Sequence, residues 1–248
     1  SAAFGMDRLN FGEFMGFFGV ECGNILGLGG AFFAALLGIS VLAKEEKEQT
    51  AEFLLTFRRP GCPAVVDPVM GDHGRPYRTY TPQMCRAMGE LADRADVIVP
   101  NATEAALLLG VDWEQLRLDR AEDCRRWARA LSLDGRRSVV LTGTALTPDA
   151  AGAVCYDRDT GAAELVSAPL APGEFHGTGD LFASVLAGAL VRGMSLVQGA
   201  QLAADFTSQC AARTGAQDLP RREGVDFEPL LWRLGQAMAS DENRRTIQ

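Results

Sequence analysis

From Lys44 to Ala239, short valine-rich runs alternate with longer amphipathic segments, and this alternation restricts the fold more than any other feature. Apolar runs of a few residues between turn signals predict strands, at Cys62–Val66, Val97–Val99 and Val139–Thr142. Strands that alternate with helices form a mostly parallel sheet covered by helices on both faces. We therefore predict an α/β fold built on one central, mostly parallel sheet.

The remaining elements complete this series. Because the chain has no internal repeat and no low-complexity linker, we expect one domain over residues 1–248. The stretch Asp67–Tyr80 is rich in glycine and proline, so we expect a loop there. Helices are predicted at Lys44–Phe57, 81–94, from Asn101, at Ala121–Leu131, 178–192, 196–213 and 227–239, and a β-hairpin at 151–168.

The charge balance limits the partners of the chain. With 24 basic and 32 acidic side chains, its net charge is −8, so it offers no basic surface to release counterions from nucleic acid. We expect no nucleic-acid partner. An anionic substrate would need a local trap, such as a helix N-terminus or a metal ion.

Six scattered cysteines form no CxxC pair, and two histidines are too few for a His-rich metal site. Such cysteines are typical of reduced, cytoplasmic proteins. No basic region precedes the first apolar run, so we expect no signal peptide. The nineteen residues Ile25–Ala43 carry no charge and have about the length of a membrane span. Five glycines in or beside them, without a basic flank, argue against a membrane helix.

The segment FHGTGDLF at 175–182 is the first candidate site. Gly177, Thr178 and Gly179 precede an apolar helix, whose free amides and dipole attract an anion. Asp180 lies in the same first turn, where a carboxylate suits proton abstraction from an attacking hydroxyl. An acidic residue after a glycine-rich turn is also common without any function, and both interpretations stay open.

The segment DPVMGD at 67–72 directly follows a predicted strand. Asp67 and Asp72 flank a turn there, a spacing that suits Mg²⁺ held partly through water. A turn closed by the Asp67 side chain, with Asp72 solvated, explains the same residues.

Two further segments follow predicted strands. Asn101 and Glu104 form a helix-capping pair, and Glu104 is also a candidate for organising metal and phosphates. Thr142, at the end of the third strand, suits either a turn or a contact with a nucleotide.

The order of these segments resembles the ribokinase-like superfamily and, within it, the pyridoxal (vitamin B6) kinases. The similar segments are VVDPVMGD at 65–72, VIVPNATEAALLLG at 97–110, FHGTGDLFASVLAGALVRG at 175–193 and PRREGVDFEPLL at 220–231. The resemblance covers about residues 45 to 239 and implies a three-layer αβα sandwich. The hydroxymethylpyrimidine kinases share similar DPVM and GTGD segments.

The resemblance implies transfer of the γ-phosphoryl group of ATP to the 5′-hydroxyl of pyridoxal, pyridoxine or pyridoxamine. It implies Mg²⁺, in many members a monovalent cation such as K⁺, and a homodimer. Asp180 matches the catalytic base in contact with substrate, and Gly177, Thr178 and Gly179 match the anion hole. The remaining matches are Asp67, Val99, Asn101, Glu104 and Thr142 on the nucleotide side, Asp72 and Glu104 near the metal, and Tyr77 in a flap over the phosphates.

The N-terminal 45 residues depart from the family. The segments that hold the pyridine ring are absent or distorted, and a few dozen family residues have no counterpart between Gly30 and Phe32. The uncharged run resembles two buried strands with their usual polar loop missing. Three alternatives therefore stand beside the B6 kinase: a kinase of hydroxymethylpyrimidine or another small alcohol, a non-catalytic nucleotide-binding relative, and a membrane-anchored protein.

Overall fold

The structure is a computed structural model that describes residues 62–78, 80–217 and 224–237. The predictions for Lys44–Phe57, for the uncharged run and for the connection between Gly30 and Phe32 lie outside these residues. No helix in the described ranges is both long enough and apolar enough to cross a membrane.

The described strands and helices follow the predicted alternation. The strands are β1 (Val65–Val66), β2 (Gly71–Asp72), β3 (Arg75–Pro76), β4 (Val97–Ile98), β5 (Ser138–Thr144), β6 (Ala150–Tyr156) and β7 (Ala163–Pro169). The helices are α1 (Pro82–Ala92), α2 (Ala102–Leu109), α3 (Ala121–Leu131), α4 (Thr178–Val191), α5 (Leu196–Gly215) and α6 (231–237). Short 3₁₀ turns lie at Trp113–Gln115 and Glu228–Leu230.

The main sheet has the strand order β1-β4-β5-β6-β7. Strands β1, β4 and β5 are parallel, with Val65 opposite Val97 and Val97 opposite Ser138. Strands β6 and β7 add to β5 as an antiparallel hairpin, which confirms the hairpin predicted at 151–168. The parallel part brings the carboxyl ends of β1, β4 and β5 to one edge of the sheet.

Neighbouring residues of each strand bury their side chains on opposite faces of the sheet, as the pleat requires. Val66 and Val139 pack with α1, α2 and α3 on one face. Val65 and Val140 pack with α4 and α5 on the other face. This arrangement explains why the strands read as continuous valine runs, and it confirms the predicted α/β three-layer sandwich.

The loop predicted at Asp67–Tyr80 is partly wrong, because it contains the antiparallel hairpin β2–β3. The two turn residues, His73 and Gly74, both have positive φ angles, of 50° and 77°, as a tight two-residue hairpin requires. A side chain at Gly71 would collide with the Arg75 carbonyl oxygen. The sequence did not indicate this hairpin, because proline is rare within strands and the segment lacks alternating apolar residues.

Arg137 is a buried cation, 3% exposed, that joins two helix ends to the start of β5. Its Nε donates to the Leu131 carbonyl at 2.8 Å, and its Nη1 donates to the Ala92 carbonyl at 2.5 Å. Asp93 accepts from the same Nη1 at 3.3 Å. A positive charge at the C-terminal ends of α1 and α3 also complements their dipoles.

Replacing Arg137 with Met should lower the free energy of unfolding by about 2 to 4 kcal/mol, because both carbonyls lose a charged donor in the interior. Urea denaturation measures this loss. The exposed neighbour Arg136, whose Nε reaches only the Leu133 carbonyl at 3.1 Å, is the matched control. Arg136→Met should cost about 0.5 kcal/mol or less. Equal losses in the two variants would contradict this role for Arg137.

Candidate active site

The predicted site residues come together at the carboxyl edge of the parallel strands. Asp67 follows β1, Glu104 lies in the first turn of the helix after β4, and Thr142 lies near the end of β5. Asp180 lies in the first turn of α4, close enough for its charge to influence Asp67. Ligands of open parallel sheets bind at this edge.

Asp67 is a buried carboxyl, 8% exposed. Burial, and then the nearby charge of Asp180, raise its pKa from 3.8 to about 7. The turn after β1 is closed by the Asp67 backbone carbonyl, which accepts from the Val69 amide at 3.0 Å. The alternative in which the Asp67 side chain closes the turn is therefore wrong, and in the described part of the chain no donor bonds its carboxylate.

Glu104 is more deeply buried, at 3% exposure, and its two oxygens bond backbone amides. Oε2 accepts from the Asn101 amide at 2.8 Å, and Oε1 accepts from the Met70 amide at 3.1 Å. Burial and the charge of Asp67 raise the pKa of Glu104, while hydrogen bonds from the Asn101, Met70 and Gly71 amides oppose that rise. Glu104 thus couples the loop after β1 to the start of α2.

Asn101 completes the predicted capping box, because its side chain accepts from the Glu104 amide at 3.0 Å. Its Nδ2 also donates to the Gly71 carbonyl at 3.0 Å, and the Gly74 amide donates to Thr103 Oγ1 at 2.8 Å. These bonds fix the β2–β3 hairpin against α2. Sequence reasoning missed Thr103, because nothing in a helical threonine signals a partner 29 positions away.

Tyr77 follows the hairpin and is 42% exposed. Its pKa is raised first by burial and then by the charges of Asp72, Glu104, Asp180 and Asp67. The phenol therefore lies within the field of all four predicted carboxylates, which we call the carboxylate cluster. Asp72 itself is exposed, and its carboxylate lies 3.5 Å from His73 Nε2.

The start of α4 differs from those of α1, α2 and α5, which are capped by the side chains of Thr81, Asn101 and Ser195. Its N-cap is Gly177, in the left-handed conformation with φ 83°, which has no side chain to cap the helix. Among the described residues, no heavy atom beyond the adjoining residues and the helix's own backbone lies within 4 Å of where a Cβ would stand on Gly177 or Gly179. The first amides of α4 are thus open to an anion, beside the exposed Asp180.

Thr142 and Val99 lie at the same edge of the sheet, but their side chains contact other residues of the protein. Thr142 Oγ1 donates to the Pro100 carbonyl at 3.3 Å. The Val99 side chain is 4% exposed and packs in the core with α4 and α5. Their contacts with a nucleotide stay predictions.

Asp72 and Glu104 were predicted to lie near a metal. The described residues include no group of three His, Cys, Asp or Glu side chains that could hold a metal ion by themselves. Glu104 already bonds amides through both oxygens, so it is poorly placed as a direct ligand. The donor set instead fits Mg²⁺, which keeps several waters and is commonly bound through one or two carboxylates and substrate phosphates.

The chain is similar to known kinases in sequence and in structure. The family model for phosphomethylpyrimidine kinase matches residues 39–221. A pyridoxine/pyridoxal/pyridoxamine kinase of Bordetella avium is 30% identical over 182 residues, which cover 70% of this chain and 59% of that protein.

Two solved structures are similar to the chain. Pyridoxal kinase from Lactobacillus plantarum superposes with a TM-score of 0.70 at 31% identity, over 81% of this chain and 69% of the other. An ADP complex of Bacillus subtilis pyridoxal kinase superposes with a TM-score of 0.53 at 27% identity, over 66% and 59% of the two chains.

The chain matches 37%, 55% and 59% of the lengths of three curated relatives, so it spans less than two thirds of each. The family model nevertheless covers well over half of this chain. The chain belongs to the phosphomethylpyrimidine kinase family and has the ribokinase-like fold of the pyridoxal kinases.

Proposed function

We propose that this protein transfers the γ-phosphoryl group of ATP to the 5′-hydroxyl of pyridoxal, pyridoxine or pyridoxamine. One observation carries the proposal: the glycine-led start of α4 brings Asp180 close to the other three members of the carboxylate cluster, at the carboxyl edge of the sheet. The names of the Bordetella and Lactobacillus relatives support a B6 vitamer as the phosphate acceptor. The ADP complex of the Bacillus enzyme supports an adenine nucleotide as the phosphate donor.

In this mechanism Asp180 accepts the proton of the substrate hydroxyl as its oxygen attacks the γ-phosphorus. A new P–O bond forms to the substrate oxygen, the bond between the γ-phosphorus and the β,γ-bridging oxygen breaks, and ADP leaves with that electron pair. The amides of Gly177, Thr178 and Gly179 hold the γ-phosphoryl oxygens, where negative charge is concentrated during transfer. Positioning and charge stabilisation supply most of the rate enhancement.

The carboxylate cluster would repel a triphosphate if the nucleotide arrived alone, because the charges of its four acidic groups all reach the Tyr77 phenol. Mg²⁺ supplies the neutralising charge when bound. Asp72 and Asp67 are the residues we assign to it, through water, while Glu104 holds the backbone beneath them. Asn101, Thr142 and Val99 belong to the nucleotide side of this proposal, and a K⁺ ion, a homodimer and a single domain over 1–248 remain part of it as predictions.

The acceptor alcohol is the least constrained part of the proposal. The matched family is named for phosphomethylpyrimidine, so hydroxymethylpyrimidine is a second candidate substrate. In the B6 kinases that this chain resembles, N-terminal segments hold the pyridine ring. The corresponding part of this chain lies outside the described residues. A panel of pyridoxal, pyridoxine, pyridoxamine and hydroxymethylpyrimidine, compared by kcat/KM with MgATP, discriminates between the candidates.

Asp180→Asn should lower kcat for the best substrate of this panel by at least about a hundredfold, because the general base is lost. The matched control is Asp123→Asn, which removes a half-buried aspartate from the first turn of α3 and its ion pair with Arg126, and should leave kcat within about twofold, since neither residue belongs to the proposed site. Full activity of Asp180→Asn would overturn the mechanism. Tight MgATP binding without transfer to any alcohol would favour a non-catalytic nucleotide-binding protein.

The raised pKa of Asp67 predicts how stability depends on pH without ligands. The folded protein holds a proton on Asp67 up to about pH 7, whereas an unfolded Asp releases it near its ordinary pKa of 3.8. The free energy of unfolding should therefore fall as pH rises from about 4 to about 7, by about 2 to 4 kcal/mol from this group.

Urea denaturation across this range measures the fall. Asp67→Asn should reduce it, because asparagine has no proton to lose. Asp180→Asn should reduce it by a smaller amount, because the Asp180 charge is the second cause of the shift. An undiminished fall in Asp67→Asn would show that Asp67 is not the group responsible.

A further inference from the structure

The Trp113 indole lies against the turn of the β2–β3 hairpin. A Cβ placed on Gly74 would stand 2.9 Å from Cδ2 and from Cε3 of Trp113, closer than side chains pack. Gly74 also has a φ of +77°, so both its backbone and the aromatic contact require glycine. The indole therefore covers the hairpin turn directly, although 45% of Trp113 is exposed.

The segment that carries Trp113 is anchored in the core of the protein. Trp113 begins the 3₁₀ turn that follows α2, and the Leu116 amide donates to its carbonyl at 3.0 Å. Leu116 and Leu118, 6% and 8% exposed, anchor the following segment in the core with α1, α2 and α3. The indole is thus presented by a segment tied to the main body of the protein.

Two contacts therefore seat the hairpin turn. The Gly74 amide bonds the buried Thr103 hydroxyl on α2, and the Trp113 ring packs on the Gly74 backbone. The hairpin carries Asp72 in β2, and Tyr77 follows β3 directly, with its amide bonded to the Met70 carbonyl at 2.9 Å. Any displacement of the turn moves Asp72 and Tyr77 relative to the other three carboxylates of the cluster.

We propose that Trp113 is a positioning residue that seats the β2–β3 hairpin and so sets the affinity of the site for MgATP. This inference rests on the proposed kinase function. Asp180 and the Gly177–Gly179 amides lie on α4 or just before it, outside the hairpin. Loss of the Trp113 contact therefore weakens nucleotide binding and leaves the chemical step nearly unchanged.

Trp113→Ala should raise both KM and the dissociation constant for MgATP about fivefold, with kcat within about twofold of the wild type. If only the seated hairpin binds nucleotide, the apparent dissociation constant rises as the population of that state falls. The loss of an aromatic contact of ordinary strength corresponds to a rise of this size. Trp113→Phe should recover most of the affinity, because it keeps an aromatic face for Gly74. Trp232, 56% exposed on α6, is the matched control, and Trp232→Ala should leave both constants unchanged.

A double-mutant cycle with Gly74→Ala isolates the contact. The added methyl group collides with the indole, so Gly74→Ala should weaken MgATP binding at least as much as Trp113→Ala. The double variant should be no weaker than Gly74→Ala alone, because the contact is already lost. Additive losses, or MgATP binding by Trp113→Ala equal to that by Trp232→Ala, would overturn the proposal.

Fluorescence gives a readout that needs no turnover. Trp113, Trp127 and Trp232 are the three tryptophans of the chain, so Trp127→Phe with Trp232→Phe leaves Trp113 as the sole emitter. Gly74→Ala in that background should shift its emission to the red, and an unchanged spectrum would count against the contact. If the wild type binds MgATP but phosphorylates no alcohol, the kinase proposal fails, while the binding constants still decide the role of Trp113.

Discussion

The buried Glu104 carboxylate joins the loop after β1 to the first turn of α2, and the geometry of the candidate site follows from that junction. Its Oε1 accepts the Met70 amide and its Oε2 accepts the Asn101 amide. A carboxylate with 3% exposure is costly to bury, and backbone donors offset part of that cost. Because Met70 lies between Asp67 and the hairpin, one side chain sets the position of both.

The same junction explains the electrostatics of the site. Burial and the charge of Asp180 raise the pKa of Asp67 to about 7, and burial and the charge of Asp67 raise the pKa of Glu104. Groups held in this state respond strongly to an added positive charge. A nucleotide that brings Mg²⁺ would relieve the repulsion among these carboxylates. Neutralisation of their charge is thus linked to binding of the proposed nucleotide substrate.

Local signals in the sequence predicted much of the fold and the cap of α2. Helix α3 has the predicted bounds Ala121–Leu131, and the Asn101–Glu104 capping box is present. The β2–β3 hairpin and the Trp113 contact were missed, because a His-Gly turn lacks the usual hairpin signal and the indole meets a residue 39 positions earlier. Contacts set by tertiary packing leave no local pattern, whereas caps and buried strands do.

Hydrogen exchange in Glu104→Gln tests the central role of Glu104 most directly. Glutamine has one acceptor oxygen and one NH₂ group, so it cannot accept from both the Met70 and Asn101 amides. We expect the Met70 or Asn101 amide to exchange at least about tenfold faster, with core amides of β5 unchanged and no such change in Glu122→Gln, at the first turn of α3. Unchanged protection of both amides in Glu104→Gln would contradict the account.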